Sequence, residues 1–244
     1  MEIKLYQEMY SVESQHWWFR ARRDILINLI LKYIPQGNNI LDVGCGTGFI
    51  LEALQTQDTS EYKAWGIDIS EVAIQFCQEK GLSQVTQGVL ENNNLTKHSF
   101  DLIMFLDMIE HLDQDLPSLL EAKQYLKVQG QILITVPAYQ FLWSAHDEIH
   151  HHKRRYTKQQ LIELLQQAGY EVIFSSYFNT FLFPLIAIAR LINNLLNRHH
   201  TSDVSLPTAL VNQSLYQIFG WEKHLLPYLS FPFGVSIICL ARQN

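Results

Sequence analysis

Apolar and polar positions along this chain alternate between two rhythms. One is the short apolar run with no polar alternation: Ile40 to Val43, Lys63 to Ile67, Leu102 to Leu106 after Asp101, and Gln131 to Val136 before Pro137. Runs of this kind suit strands buried on both faces of a sheet. A short strand near Gln84–Thr86, another from Tyr170 to Ser175 and a last one from Val235 to Ala241 complete the set. The other rhythm is helical. Residues 2–34 predict a helix, with Ile25, Leu26, Leu29, Ile30 and Tyr33 on one face and Pro35-Gln36-Gly37 as its stop. Further helices are expected from Gly48 to Leu54, from Ser70 as cap to Glu79 with Gly81 ending it, and from Leu116 to Leu126 with Asp115 as cap. Thr157 and Gln160 form a capping-box pattern ahead of Leu161, Ile162, Leu164 and Leu165, in a helix ending at Gly169. Strands alternating with helices predict an α/β fold: a doubly wound, mostly parallel sheet with ligands at the carboxyl ends of its strands.

The 244 residues suffice for one sizeable core with an appended cap. A formal charge of −6 argues against a general nucleic-acid binder, which needs a basic surface. Cys45, Cys77 and Cys239 are scattered and odd in number, so neither a disulfide framework nor a zinc motif is suggested, and a reducing cytoplasm is the simplest setting. The opening MEIKLYQEMY has no continuous apolar core and reads as no signal peptide. Phe181 to Ala189 is far shorter than the roughly 20 residues of a membrane span.

The first strand runs into Leu41-Asp42-Val43-Gly44-Cys45-Gly46-Thr47-Gly48. Three alternate glycines make a tight turn whose backbone N–H groups can approach a ligand. About twenty residues on, Trp65-Gly66-Ile67-Asp68 ends a second strand on an acid, the spacing at which a carboxylate meets ribose hydroxyls. A dinucleotide site wants G-x-G-x-x-G. Here the order is G-x-G-x-G, followed by Phe49-Ile50. The pattern closely resembles the first motif of the class I S-adenosylmethionine-dependent methyltransferases. The parts LDVGCGTG, WGIDIS, FDLIMFLDMIEHL and LKVQGQILITVP follow in that family's order over roughly residues 38–176, and the last strand adds to the match. The resemblance implies a Rossmann-like fold of seven strands, the last antiparallel beside the fifth, with S-adenosylmethionine as cofactor. One departure concerns the acid often found after the third strand near the adenine: this chain has Gln87-Gly88-Val89-Leu90-Glu91, so the carboxylate is replaced or displaced to Glu91. The division expected is an N-terminal helical lid (1–36), a cofactor-binding core (38–176), a helical cap insertion (177–234) and the last strand (235–241).

Expected cofactor-side residues are Asp42, Gly44, Gly46, Gly48, Asp68, Ile69 and Leu106, joined by Trp17 and Arg20 from His16-Trp17-Trp18-Phe19-Arg20-Ala21-Arg22-Arg23. That run resembles the opening of a subgroup of bacterial methyltransferases; Arg20 would pair the cofactor carboxylate, unless the tryptophans simply pack on the core. Asp107, Glu110 and His111 follow the fourth strand, where one helical turn would bring them to a common face. The segment is similar to the acid-x-x-Glu-His stretch of ubiquinone-biosynthesis O-methyltransferases, with which a metal has been associated. His111 as base, a divalent metal on all three, and a loop brace are the readings. No metal ligand is assigned. After the fifth strand comes Trp143-Ser144-Ala145-His146-Asp147-Glu148-Ile149-His150-His151-His152-Lys153-Arg154-Arg155-Tyr156. His146 is a second base candidate, and His151, Arg154, Arg155 and Tyr156 are candidates for binding an anionic or polar acceptor, since arginine can fork onto carboxylate or phosphate. The alternative is a solvated loop.

Between residues 177 and 234, Ile188, Leu191, Ile192, Leu195 and Leu196 form one helical stripe and Arg190, Asn193, Asn194 and Asn197 the opposite one. This cap would cover a hydrophobic acceptor, dock on a bilayer with Arg198, His199 and His200 near anionic headgroups, or pack against the sheet or a twin subunit. The sequence thus reads as an enzyme transferring a methyl group from S-adenosylmethionine to a hydroxyl of a partly hydrophobic small molecule: a lipid, a quinone precursor or a lipid-linked sugar. It is placed in the cytoplasm, with the inner membrane face and a homodimer as further options. An NAD-dependent oxidoreductase and a membrane-docked, non-catalytic scaffold are the rivals.

Overall fold

The computed structural model describes residues 3–34, 38–56, 62–91, 93–196 and 205–243. The expected stop at Pro35-Gln36-Gly37 and the basic cluster Arg198-His199-His200 lie outside the described residues, as does Asn197.

Seven strands form one sheet in the order β3-β2-β1-β4-β5-β7-β6. They are β1 (Asn39–Val43), β2 (Lys63–Asp68), β3 (Val85–Gln87), β4 (Phe100–Leu106), β5 (Leu126–Pro137), β6 (Tyr170–Phe178) and β7 (Ser236–Gln243). β7 runs antiparallel between β5 and β6, while β1 to β5 pair in parallel. This is the expected doubly wound methyltransferase topology. The strand period of two assigns each face. Ile40, Leu102, Met104, Leu133, Ile238 and Leu240 face one core, and Leu41, Val43, Ile103, Phe105, Ile134 and Cys239 face the other. Nine helices belong to the described residues: α1 (Ile3–Val12), α2 (Trp17–Tyr33), α3 (Phe49–Gln55), α4 (Glu71–Glu79), α5 (Leu116–Tyr125), α6 (Ala145–Ile149), α7 (Lys158–Gln167), α8 (Phe183–Leu195) and α9 (Ala209–Gly220). The first core receives α2 and α3 through Ile25, Leu26, Leu29, Leu51 and Leu54; the second receives α5 and α7 through Leu119, Ala122, Leu161 and Leu165.

The caps fall where the sequence puts them. Ser70 accepts from Ala73 N–H, Asp115 from Leu116 N–H, and Thr157 with Gln160 closes a capping box. Three expectations change. The N-terminal helix is two helices, because the chain breaks at Glu13–His16 and the His16 ring caps α2 by accepting from Trp18 N–H. β5 starts at Leu126, where a helix end was expected, since Leu126 pairs with Phe100 ahead of an irregularity in the ladder. The insertion carries a second helix, α9, packed on α2 by Phe219 against Trp17.

The amphipathic face of α8 is turned the opposite way from ordinary packing. Ala189, Arg190 and Asn193 look inward, and the Arg190 Nη1 and Asn194 Nδ2 groups donate to the carbonyls of Leu142 and Trp143. Leu185, Ile188, Leu191, Ile192, Leu195 and Leu196 are exposed. The exit from β6 into this cap is held by Glu222, wholly buried, whose carboxylate accepts from the N–H groups of Asn179 (2.7 Å), Thr180 (2.6 Å) and Phe181 (3.0 Å). No helix among the described residues is long and apolar enough to cross a membrane.

Candidate active site

A cavity of about 860 Å³ runs along the carboxyl ends of β1, β2, β4 and β5, walled by α1, α2 and α8. Its floor is the glycine turn. Gly44, Gly46 and Gly48 all have left-handed backbone (φ 76°, 55° and 76°). A Cβ on Gly46 would meet nothing within 4 Å because that face opens into the cavity, whereas one on Gly48 would strike Leu82 at 2.5 Å and Cys77 at 2.8 Å. Gly46 therefore admits a ligand and Gly48 admits the neighbouring helix α4. Gly44 and Gly46 line the cavity; Gly48 does not.

Asp68, buried at the end of β2, stands beside this turn. Its Oδ1 accepts from Tyr6 Oη (3.1 Å) and Ser70 N (2.9 Å), and Oδ2 accepts from Gly46 N (2.9 Å). Tyr6 belongs to α1, so that helix is tied to the turn. A second tie is buried Glu13, which receives Thr47 Oγ1 and Lys80 Nζ. Ile69 is exposed along the cavity wall, with Gly88, Val89, Leu90 and Glu91 near it in the lining. Trp17 also lines the cavity, its N–H held by Asn212 Oδ1 at 2.9 Å.

Arg20 is not brought to the cavity: its guanidinium lies over the Tyr216 ring at 4.1 Å. Of the arginines in this run, Arg22 is the one that lines the cavity. It is paired with Asp107 Oδ2 at 2.8 Å and donates to Thr135 Oγ1 at 3.2 Å, while its Nε is buried without a hydrogen-bond partner. The signal lay in helical spacing, since Arg22 shares a face with Ile25, Leu26 and Leu29. Asp42 sits within this group, buried, with Oδ1 lacking a partner. Burial pushes its carboxyl up to about 7, against the pull of Arg22. Asn179, at the end of β6, was not foreseen. It takes left-handed backbone (φ 57°), lines the cavity, and neither polar atom of its buried amide has a hydrogen-bond partner.

The facing wall of the cavity comes from the segments after β4 and β5. Leu106 lines the cavity, and Asp107 turns the chain with φ 55°. Glu110 and His111 then sit in a 3-10 turn, Ile109–His111. His111 meets His152 ring to ring at 4.7 Å, and His146 lies against His150 at 4.2 Å. Burial, reinforced by neighbouring imidazoles, lowers His111 and His150 to about 4 and His146 well below its ordinary value. These rings are therefore neutral near pH 7. Glu110 is completely buried with no hydrogen-bond partner on either oxygen, and burial together with Asp107 raises its pKa well above the usual range.

Arg154 and Arg155, expected to grip an acceptor, are bonded to groups of the fold, while Lys153 is exposed and pairs with Asp113 at 2.8 Å. Arg154 donates to Asp115 Oδ2 (3.2 Å) and to the carbonyls of Leu112 (2.8 Å) and Asp113 (2.7 Å). Tyr156 Oη donates to Asp115 Oδ2 at 2.7 Å; neither Arg154 nor Tyr156 lines the cavity. Arg155 reaches the wall, but its Nε and Nη2 fork onto Asp147 (2.8 and 2.9 Å) and its Nη1 donates to Ala138 O (3.1 Å). These bonds clamp one loop on the other. His151, with left-handed backbone, remains exposed at the cavity.

A family model described as a methyltransferase domain matches residues 14–174, so the chain belongs to this methyltransferase family. The cofactor of the family is S-adenosylmethionine. Among relatives, the ubiquinone biosynthesis O-methyltransferase of Actinobacillus pleuropneumoniae serotype 5b is 32% identical over 127 residues, 46% of this chain and 53% of that one. That of Coxiella burnetii (strain Dugway 5J108-111) is 28% identical over 140 residues, 52% of this chain and 58% of that one. The chain thus spans just over half the length of the curated relatives it matches. Among solved structures, a chain from the complex between the Haloferax volcanii Trm112 methyltransferase activator and a methyltransferase aligns with TM-score 0.62 at 17% identity, over 99% of this chain and 94% of that one. A SAM-dependent methyltransferase from Thermotoga maritima aligns with TM-score 0.58 at 18% identity, over 98% and 99%. At these identities the likeness is one of fold.

Proposed function

We propose that this protein transfers a methyl group from S-adenosylmethionine to a hydroxyl of a partly hydrophobic small molecule. The observation that carries the proposal is the single cavity joining the glycine turn and Asp68 to the apolar and imidazole-lined wall under α8. Its volume suits a nucleoside-sized cofactor with a second molecule alongside. In this reading Asp68 takes the ribose, Ile69 the adenine, and Asp42 and Arg22 the two charged ends of the methionine part. Leu106 and Asp107, which line the cavity, would border the methyl-bearing part of the cofactor. The acceptor lies against Asn179, Ile186 and the imidazoles. The cofactor supplies the reactive carbon and the leaving sulfur. The chain aligns the acceptor within about 3–3.5 Å and keeps water out. A neutral His111 is competent to receive the hydroxyl proton as the oxygen attacks, because an imidazole held below its ordinary pKa keeps a lone pair near pH 7. Relatives named for O-methylation in ubiquinone biosynthesis support an oxygen acceptor with an apolar part.

The test is transfer of labelled methyl from S-adenosylmethionine into fractionated cell extract. Label is expected in the organic-solvent phase, and His111→Ala should cut the rate at least tenfold while S-adenosylhomocysteine still binds. Label confined to protein or to water-soluble amines, or an unchanged His111→Ala rate, would rule the assignment out. The outward apolar face of α8 supports a second element, peripheral contact with the inner membrane face from which such an acceptor would be drawn. Co-sedimentation with anionic vesicles, lost in Leu191→Glu, is the expected result; a concentration-dependent dimer would instead assign that face to a second copy.

Asp42 makes cofactor affinity depend on pH. Its carboxyl is largely protonated below about pH 7, and the cationic cofactor prefers the carboxylate. Binding of S-adenosylmethionine should therefore tighten as pH rises from 5.5 to 8, by up to tenfold per unit below 7, with proton release near neutrality. Calorimetry in buffers of different ionisation enthalpy reads that proton, and Asp42→Asn should abolish it. Affinity that stays flat across this range would show that the cofactor's charge does not meet Asp42.

A further inference from the structure

We propose that His146, His150 and His152 bind a divalent transition-metal ion of the zinc class on the acceptor side of the cavity. Their ligand-capable nitrogens lie within 4.8 Å of one another, and all three residues line the cavity. A zinc ion with Zn–N bonds of about 2.0–2.1 Å holds three tetrahedral nitrogens roughly 3.3 Å apart, so ring rotations of about an ångström close the set. His146 and His150 stand four residues apart across α6, whose start is fixed by a Ser144–Asp147 capping box. His152 is oriented independently. Its Nδ1 lies 2.9 Å from Asp147 Oδ1, and a carboxylate there requires that nitrogen to carry the proton. Nε2 is the ring nitrogen that would then meet the ion, the arrangement in which an outer carboxylate orients a metal-binding imidazole. Asp147 is in turn held by the fork of Arg155.

A second observation points at a cation. Glu110, wholly buried, has no hydrogen-bond partner on either oxygen, yet its carboxylate, His111 and His152 form another set of ligand-capable atoms within 4.8 Å. His152 belongs to both sets. A carboxylate buried without donors is costly unless a positive charge lies close or it stays protonated. An ion on three neutral imidazoles keeps its full charge and an open coordination position, which is the chemistry of an ion that binds a ligand oxygen. Its role in turnover, which rests on the proposed methyl transfer, is then to hold the acceptor oxygen and lower its pKa. The O–H proton passes to Glu110 or His111, the oxygen lone pair forms the O–CH3 bond, and the S–CH3 electrons leave with sulfur. Metal binding itself does not depend on that role.

The probe is cobalt(II), followed by zinc(II) in competition, added to full-length protein stripped with a chelator. One equivalent of cobalt is expected to give the visible absorption of a tetrahedral nitrogen-ligated ion, displaced by zinc. His150→Gln and His152→Gln should each weaken uptake at least 100-fold while S-adenosylhomocysteine binding stays as in the parent, which reports an intact fold. Stripped parent protein that binds S-adenosylhomocysteine but takes up neither metal would overturn the proposal. So would uptake that survives His150→Gln and is lost in Glu110→Gln, which would place the ion on the other set. Failure of methyl transfer alone, with uptake as expected, would count against the acceptor reading and leave the metal site standing.

Discussion

Replacing Asp68 with alanine should weaken S-adenosylhomocysteine binding by about two to four orders of magnitude and leave the secondary structure intact. A carboxylate accepting two ribose hydroxyls makes two charge-assisted hydrogen bonds, each worth about 1.5–3 kcal/mol. Every 1.4 kcal/mol is about tenfold in affinity. The same carboxylate also receives Tyr6 Oη, Ser70 N–H and Gly46 N–H, so its loss loosens both the glycine turn and the seat of α1. Tyr6→Phe separates the contributions, because it removes only the contact of α1 with Asp68. It should cost less than tenfold. Calorimetry on both variants decides the matter. Asp68→Ala binding within threefold of the parent would mean that the ribose lies elsewhere and the cavity has been read in the wrong direction.

Much of the frame was legible because it follows from local rules. Strands buried on both faces carry nearly continuous apolar runs, so β1, β2, β4 and β5 announced themselves, and the caps at Ser70, Asp115 and Thr157 are matters of side chains meeting nearby N–H groups. The glycine turn was legible for a related reason, since a turn that needs three left-handed residues leaves three glycines in the sequence. The cavity wall built after β4 and β5 was not. Arg154 and Arg155 follow three histidines, and a sequence does not say whether a guanidinium meets a ligand or a buried carboxylate 8 to 40 residues away. Here Asp147 and Asp115 take them. The same uncertainty hid Arg22 behind Arg20, two positions apart on a helix and thus on different faces. The direction of α8 was equally unreadable. An amphipathic period fixes two faces, but which of them turns inward depends on what the sheet edge offers. At this edge it offers the Leu142 and Trp143 carbonyls to Arg190 and Asn194. Asn179 left no periodic signal, because its place is set by the Glu222 clasp from a segment more than 40 residues on.

The clamp beneath the histidines gives the largest stability effect. Asp147 is fully buried and the Arg155 side chain is 1% exposed, joined by two bonds of 2.8 and 2.9 Å. Removing one member of such a pair leaves the other charge buried without compensation, which costs about 3–5 kcal/mol. Asp147→Ala should therefore lower the melting temperature by roughly 6–20 °C, given about 2–4 °C per kcal/mol at this chain length. Replacing both members with apolar residues, as in Asp147→Leu with Arg155→Met, should recover most of that loss, because the stranded charge is gone. The pH dependence fixes the sign. The hydrogen bonds from His152 and Arg155 hold the Asp147 carboxyl below the usual carboxylate range despite its burial. A depressed native pKa contributes stability that is complete above the unfolded value, about 3.9, and drains as pH falls further through the native one. The gap between parent and Asp147→Ala should stay constant from pH 7 to 5 and narrow below pH 4. Denaturant midpoints across that range read it directly. A gap under 1 kcal/mol at pH 7, or one that widens in acid, would show that the clasp does not hold this wall, and the alignment of His152 toward the cavity would then need another source.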